Sequence, residues 1–309
     1  MELINELKAL AEKKGDKLEI VANDRIYTMR DELDKFRNKT ELNGFQHFIF
    51  DKLYNYDFGK NNKMTRRSVI IIAIPFHAAY ANITFNRNGR EYKVYGLVSA
   101  PISRTGKYIT DAVRKAGHEI KYDGFLPLKR LAVQSGLAEY GKNNITYVKG
   151  FGSYLSYTAY TTDIPCEKDN WRSVTVSPVC KDCDICLNNC PTGAIMKDRF
   201  LLNNKKCLTA MNEDTRDFPL WLPDSAHHTP YGCLKCQIRC PLNAESCQVI
   251  DVSFSEEETE RLLDGKPYND APEELKRKIN ILRLDSWASI PRNMRALFNA
   301  MDNGHIPSL

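Results

Sequence analysis

Eight of the ten cysteines in this 309-residue chain stand in two related runs and at one position between them. The first run has the spacing C-x2-C-x2-C-x3-C-P, and the second has C-x2-C-x3-C-P. In the bacterial two-cluster pattern, the first three cysteines of such a run bind one [4Fe–4S] cluster and the cysteine before proline binds the other. Because each cluster needs four thiolates, eight cysteines supply two complete ligand sets.

The crossed pattern assigns every one of these cysteines to one of two sets. The predicted ligands of the first cluster are Cys180, Cys183, Cys186 and Cys240. The predicted ligands of the second cluster are Cys190, Cys207, Cys233 and Cys236. Paired cysteines also bind structural zinc, or form disulfides in a secreted chain. A zinc ribbon needs no fourth cysteine before proline, and the chain opens on charged residues rather than an apolar signal segment, so the spacing favours clusters.

The rest of the composition limits the class of protein to which the clusters can belong. A bare electron carrier needs little beyond the cluster module, so the long N-terminal part predicts a catalytic domain that receives the electrons. The net charge of +5 is too small to require a nucleic-acid partner. The longest apolar run, residues 69–75, is too short to span a bilayer and predicts a buried strand. We therefore expect a cytoplasmic enzyme, not bound to a membrane, with a low-potential electron donor such as ferredoxin or flavodoxin.

Local patterns predict a mixed α and β structure. Two β-rich runs flank Asn88-Gly89, which is typical of a hairpin. Residues 105–115 and 126–135 have helical spacing, and Ser255 with Glu258 predicts a capping box. The predicted class is α+β: an N-terminal α/β sandwich domain, a ferredoxin-like double-cluster module and a short C-terminal helical tail. The predicted divisions are a helical region at 1–67, an α/β domain at 68–177, the two-cluster module at 178–250 and C-terminal helices at 251–309.

Several segments outside the cysteine runs carry a family resemblance. Residues 126–132 read LPLKRLA, residues 136–144 read GLAEYGKNN, residues 152–154 read GSY and residues 162–165 read TDIP. These segments resemble the epoxyqueuosine reductase family. The resemblance also includes Cys207, which stands apart from both cysteine runs, the stretch YGCLKCQ that begins at residue 231 and the Arg-Asn pair at residues 292–293. The match runs from about residue 69 to the end, and reductive dehalogenases are more distant relatives.

The resemblance implies a second cofactor. In these families a base-off cobalamin lies between an N-terminal α/β domain and the ferredoxin module, and the clusters reduce its cobalt for removal of oxygen or halogen from the substrate. The residues that would line the corrinoid are Gly136, Leu137, Gly141, Lys142, Asn143, Asn144, Gly152 and Ser153. Glycine suits that place because a backbone without Cβ can approach a large flat ring closely.

The stretch 104–111 departs from the family pattern. Epoxyqueuosine reductases carry an aspartate-tyrosine-histidine signature there, whereas this chain reads RTGKYITD. Tyr108 is therefore the predicted proton donor, with Lys107 lowering its pKa by positive charge and Asp111 as the alternative acid. The other interpretation of Tyr108 is an aromatic anchor of an amphipathic helix. From this departure the sequence disfavours tRNA as the substrate and favours an unidentified small molecule.

The cysteine pattern is also compatible with two other functions. The chain could instead be a double-cluster reductase without cobalamin, or an electron-transfer or corrinoid-reactivating partner. Cys166 and Cys247 are predicted to be buried structural thiols, with a redox or ligand role as the alternative. His227 and His228 are predicted to be a solvated pair, with a hydrogen bond that tunes a cluster as the alternative.

Overall fold

The structure is a computed structural model, and it describes residues 2–56, 65–98, 102–198, 200–243, 248–282, 284 and 288–308. The longer helices are α1 (Glu2–Lys13), α2 (Asp24–Lys39), α4 (Ile102–Lys115), α5 (Leu128–Gln134), α9 (Glu256–Leu263), α10 (Glu273–Ile281) and α11 (Ile290–Asp302). The shorter helices are α3 (Gly44–Phe48), α6 (Ile185–Asn188), α7 (Leu208–Glu213) and α8 (Lys235–Ile238).

The strands form three sheets. They are β1 (Lys17–Ala22), β2 (Ser68–Pro75), β3 (Tyr80–Arg87), β4 (Arg90–Gly96), β5 (Ile120–Tyr122), β6 (Glu139–Tyr140), β7 (Thr146–Tyr147), β8 (Leu155–Thr162) and β9 (Val249–Phe254). The first sheet has the order β1-β2-β8-β5 with every pair antiparallel, the second has the order β4-β3-β9, and β6 pairs with β7. Two compact units contain these sheets: residues 1–75, 100–141 and 145–178, and residues 76–99, 142–144 and 179–309.

The first unit is built on the four-stranded sheet. β2 is apolar along its length and buried on both faces, as a central strand covered on both sides must be. On one face, Ile70 and Ile72 pack with α1 and α4 in a single hydrophobic cluster. α5 packs against β2 and β8. The predicted α+β class and the buried strand at residues 69–75 are confirmed.

The second unit packs the C-terminal helices on the three-stranded sheet. β3 pairs antiparallel with β4 and parallel with β9, which follows the cysteine runs in sequence. The core between this sheet and α9, α10 and α11 contains three phenylalanines. The ring of Phe85 stacks on that of Phe254 and meets that of Phe298 edge to face. The helical tail therefore contributes to the same hydrophobic core as the β3–β4 hairpin. The predicted division of the chain into four parts stays a prediction.

The local turn and cap predictions are confirmed. Asn88 and Gly89 connect β3 and β4 with φ of 51° and 70°, the left-handed conformation that a two-residue hairpin turn needs. Ser255 accepts from the backbone N–H of Glu258, and the Glu258 side chain accepts from the backbone N–H of Ser255. Among the residues described, no helix has the length and apolarity needed to cross a membrane.

Candidate metal centre

Both cysteine runs fold in the same way in the second unit. Each run places one cysteine in a short helix, Cys186 in α6 and Cys236 in α8. The cysteine before proline then closes the turn, because the N–H of Cys190 donates to the Leu187 carbonyl at 3.3 Å and that of Cys240 to the Gln237 carbonyl at 3.0 Å. The two runs are thus repeats of one turn, and α6 contacts α8.

The first set of thiols surrounds Cys186. The pKa of the Cys186 thiol is raised to about 11, chiefly by burial and then by the negative charge of the neighbouring thiols of Cys240, Cys180 and Cys183. Cys240 therefore faces the first run although it belongs to the second run in sequence. This is the crossing that the spacing predicts.

The second set of thiols comes from four half-buried cysteines, Cys190, Cys207, Cys233 and Cys236. The pKa of Cys233 is raised to about 12, chiefly by burial and then by the thiols of Cys207 and Cys190. The pKa of Cys236 is raised well above its usual value by burial, then by the thiols of Cys233, Cys207 and Cys190 and last by that of Cys186 in the first set. Because iron binds thiolates, such buried sites need the positive charge of the metal to hold four thiolates together. The structure therefore brings the cysteines together in the two predicted sets, and their ligand roles stay predictions.

A backbone donor also points at the second set. The N–H of Ala194 donates to the Cys190 sulfur at 3.2 Å, in a turn where Gly193 has φ of 62°. N–H groups that donate to ligand sulfurs raise the reduction potential of a cluster by stabilising the added negative charge.

Lys142 and Asn143, predicted to line a corrinoid, contact the cysteine runs instead. The Lys142 ammonium donates to the Cys183 carbonyl at 2.8 Å and pairs with the Asp184 carboxylate at 2.8 Å. Asn143 is 2% exposed, and its amide donates to the Cys236 carbonyl at 2.9 Å. Lys142 and Asn143 therefore form hydrogen bonds to one cysteine loop at each of the two predicted clusters. Sequence reasoning missed these contacts, although Asp184, the acid beside Cys183, could have indicated a partner for Lys142.

The other residues predicted for the corrinoid lie in glycine-flanked turns. Gly136 and Gly152 have φ of 84° and 62°, and Asn144 has φ of 61°. The Gly141 N–H donates to the Ile145 carbonyl at 2.7 Å, which closes the turn that contains Asn144. Ser153 is 8% exposed and follows Gly152. Leu137 follows Gly136 and is half-buried.

The three predicted catalytic residues lie on α4 in the first unit. Lys107 pairs with Asp111 at 3.2 Å, and their side chains are 82% and 57% exposed. Tyr108 packs against the hydrophobic cluster of this unit, and its hydroxyl donates to the carboxylate of buried Asp16 at 2.8 Å. The position of Tyr108 agrees with an aromatic anchor, and its role as a proton donor stays a prediction.

Replacing Tyr108 by phenylalanine tests that role. As a proton donor, Tyr108 is expected to contribute about 10²–10⁴-fold to turnover, with both cluster spectra unchanged in the variant. The loss of its hydrogen bond to Asp16 is also expected to lower the free energy of unfolding by about 1–3 kcal/mol. Tyr122→Phe, at an exposed tyrosine of the same unit, is the control. Full turnover per folded molecule in the Tyr108 variant would leave Tyr108 with the anchoring role alone.

The prediction of a solvated histidine pair is wrong. His227 and His228 are 6% and 0% exposed, and the N–H of Tyr95 in β4 donates to the His228 carbonyl at 3.2 Å. Burial lowers the pKa of His228 to about 4, so the ring is neutral. Its Nδ1 lies 2.8 Å from the Ala226 carbonyl and must carry the proton, which leaves Nε2 as an acceptor 3.5 Å from the Leu234 N–H.

Of the two remaining cysteines, the structure describes Cys166. Cys166 is half-buried against the hydrophobic cluster of the first unit, where burial raises the pKa of its thiol. Cys247 lies outside the described residues. The predicted structural role of Cys166 agrees with this place in the core.

A family profile matches the centre directly. Residues 179–243 match the 4Fe-4S double cluster binding domain. The match confirms that this region is a double-cluster domain, and the matched range contains all eight predicted ligand cysteines. The chain therefore has the machinery to bind two [4Fe–4S] clusters, as the cysteine spacing predicts.

Comparisons with individual proteins confirm the predicted resemblance. The epoxyqueuosine reductase of Aliivibrio fischeri is 28% identical over 160 residues, which is 51% of this chain and 41% of that protein. The matched sequence thus spans less than half the length of the curated relatives. The epoxyqueuosine reductase structure from Bacillus subtilis superposes with a TM-score of 0.69 at 21% identity, over 98% of this chain and 84% of that one. Reductive dehalogenases are more distant structural neighbours.

The prediction of a small-molecule substrate is wrong. A further structural neighbour, with a TM-score of 0.69 at 20% identity, is an epoxyqueuosine reductase with an epoxyqueuosine-modified tRNA-Tyr stem loop, and the superposition covers 97% of this chain and 81% of that one. The expectation rested on one short stretch, residues 104–111, whereas the similarity extends over the entire described fold.

Proposed function

We propose that this protein is an iron–sulfur reductase that acts on epoxyqueuosine in tRNA. The observation that carries the proposal is the joint presence of the double-cluster domain at residues 179–243 and a fold that superposes on epoxyqueuosine reductases over nearly the whole chain. Reduction of an epoxide to an alkene takes up two electrons and two protons and releases the oxygen as water. When bound, two clusters can supply those electrons one at a time.

In this proposal the second unit holds the electron-transfer groups. The predicted ligands are the eight cysteines assigned by the crossed spacing, and the two sets of thiols described above fit them. Lys142 places a positive charge beside the thiols of Cys186 and Cys180, and the Ala194 N–H donates to the Cys190 sulfur. Both contacts favour the more negatively charged, reduced state of a cluster. Tyr108 on α4 remains the proposed source of a proton.

Cobalamin is a second part of the proposal, and it rests on the family resemblance. The turns at Gly136 and Gly152 have the left-handed backbone that glycine allows and would lie against a corrinoid in this proposal, although a Cβ atom placed on Gly136 would meet the Asn170 Cβ at 3.4 Å. Lys142 and Asn143 fit it less well, since their polar atoms already bind Cys183, Asp184 and Cys236. When bound, a corrinoid supplies a cobalt centre that accepts single electrons. We also propose the cytoplasm, where tRNA is available, as the location.

The substrate is tested by converting a defined RNA. The protein is reconstituted anaerobically with iron and sulfide, supplied with cobalamin and a low-potential reductant, and incubated with an epoxyqueuosine-modified anticodon stem loop. Mass spectrometry of the digested nucleosides is expected to show the modified base lighter by one oxygen atom. An unchanged nucleoside, with both clusters shown to be reduced in the same sample, would contradict the proposal.

Cobalamin is tested separately by metal analysis. Reconstituted protein is incubated with cobalamin, passed over a desalting column and analysed for iron and cobalt. We expect about eight irons and about one cobalt per chain. Eight irons with no retained cobalt, together with full conversion of the stem loop when cobalamin is omitted, would leave a reductase that does not use cobalamin.

A further inference from the structure

A buried amide pair joins the two segments that carry ligands of the second cluster. Asn212 lies near the end of α7, the helix that starts directly after Cys207. Its side-chain amide donates to the Gly232 carbonyl at 2.8 Å, and Gly232 is the residue before Cys233. One hydrogen bond thus fixes the distance between the segment of Cys207 and the segment of Cys233.

Asn293 on α11 adds a second connection between the same segments. Its amide nitrogen donates to the Asn212 carbonyl and to the Pro230 carbonyl, both at 2.9 Å. Asn212 and Asn293 are each 1% exposed, so water does not compete for these bonds. In such surroundings a carbonyl that loses its donor is left without a hydrogen bond, which is costly.

Arg292 fixes the orientation of the Asn293 amide. Its guanidinium donates to the Asn293 Oδ1 at 2.7 and 3.1 Å, so the amide nitrogen must face the two carbonyls. The same guanidinium donates to the Met211 carbonyl at 2.7 Å and lies 4.0 Å from the centre of the Phe218 ring. The C-terminal helix therefore holds the α7 segment by both residues of its Arg-Asn pair.

The segment before Cys233 has little freedom to adjust. Gly232 has φ of 70°, and a Cβ atom placed on it would lie 2.2 Å from the Leu97 Cδ1. The backbone next to Cys233 is thus held by close packing on one side and by the amide pair on the other. Cys207 and Cys233 lie in different segments of the chain, 26 residues apart, so their relative position depends on these contacts.

We infer that Asn212 and Asn293 are positioning residues for the second [4Fe–4S] cluster, because they hold the Cys207 and Cys233 segments at a fixed separation and exclude water there. The inference rests on the double-cluster assignment and not on the identity of the substrate. When the amide pair is lost, the loops separate and water approaches the cluster. Water stabilises the extra negative charge of the reduced state, so the reduction potential of the second cluster should rise.

Three matched substitutions test this inference. Asn293→Ala and Asn212→Ala remove members of the pair, and Asn299→Ala changes an exposed asparagine on the same helix. Iron content and an EPR-monitored redox titration are measured on each reconstituted protein, with the first cluster as the internal reference. In both test variants we expect the second cluster to be lost, or to become at least tenfold easier to reduce, about 59 mV for one electron. The first cluster, and both clusters of the Asn299 variant, should be unchanged.

Two results would overturn the inference. One is a wild-type potential for the second cluster in Asn212→Ala, the milder variant, which loses a single donor and remains informative if Asn293→Ala does not fold. The other is an equal change in both clusters, which would indicate general loss of structure rather than positioning. Neither result depends on tRNA, so failure of the inference and failure of the proposed substrate are distinguishable.

Discussion

Replacing Cys207 by alanine is expected to remove the second cluster and to leave the first one in place. Cys207 stands between the two runs, and its half-buried thiol lies beside Cys190 and within the set that includes Cys233 and Cys236. With three thiolates left, that set cannot hold a complete cluster. Iron content should fall from about eight to about four per chain, and reduction of the stem loop should be abolished because the electron path is interrupted.

Cys166→Ala is the matched control for this variant. It removes a half-buried thiol of the first unit by the same substitution. Both clusters should assemble in it with the wild-type absorption and EPR spectra. Assembly of two unchanged clusters in the Cys207 variant would show that another group completes the second set, and the predicted pairing would then be wrong.

Replacing Lys142 by methionine is expected to change the reduction potential of the first cluster without removing the cluster. Methionine keeps the length of the side chain but removes the donor to the Cys183 carbonyl and the charge beside Asp184 and Cys186. The first cluster should become harder to reduce, because the ammonium no longer offsets its added negative charge. We expect about a tenfold change in the reduction equilibrium, about 59 mV for one electron, measured by redox titration.

Lys197→Met is the control for the Lys142 variant. Lys197 approaches the same carboxylate of Asp184 at 3.9 Å, but its side chain is 78% exposed, so solvent screens its charge. The potential of the first cluster should change little in it. Equal shifts in the two variants would mean that net charge, rather than the contact with the Cys183 loop, sets the potential.

The sequence predicts the cluster module well because its information is local. A cluster needs cysteines at short, fixed spacings in sequence. A single turn that ends at a proline is enough to bring such cysteines close together. The Asn88-Gly89 turn and the Ser255 cap are predictable for the same reason, since each depends on a few neighbouring residues.

The contacts that sequence reasoning missed are long-range. Lys142 and Cys183 are 41 residues apart, and Asn293 and Asn212 are 81 residues apart. A glycine-flanked lysine predicts a contact with an anion or a carbonyl, yet nothing in its neighbourhood indicates which one. The burial of His227 and His228 was missed similarly, because a polar loop gives no sign that it folds under other elements.

The substrate prediction failed because it weighed a local departure against a global similarity. The stretch 104–111 lacks the family's aspartate and histidine, and that absence is real in the sequence. The catalytic acid of an enzyme is a small part of the surface that recognises a large substrate. The matched sequence relatives are epoxyqueuosine reductases, and this relationship, rather than one short stretch, supports the proposed substrate.

Cys240→Ala tests most directly whether the ligands cross between the two cysteine runs. EPR and iron analysis of the reconstituted variant should show the loss of the first cluster, whose other ligands are in the first run, while the second cluster keeps its wild-type signal. Cys240 follows Cys236 closely in sequence, so an uncrossed arrangement would place both on one cluster. Loss of the second cluster with the first one intact would contradict the crossed assignment.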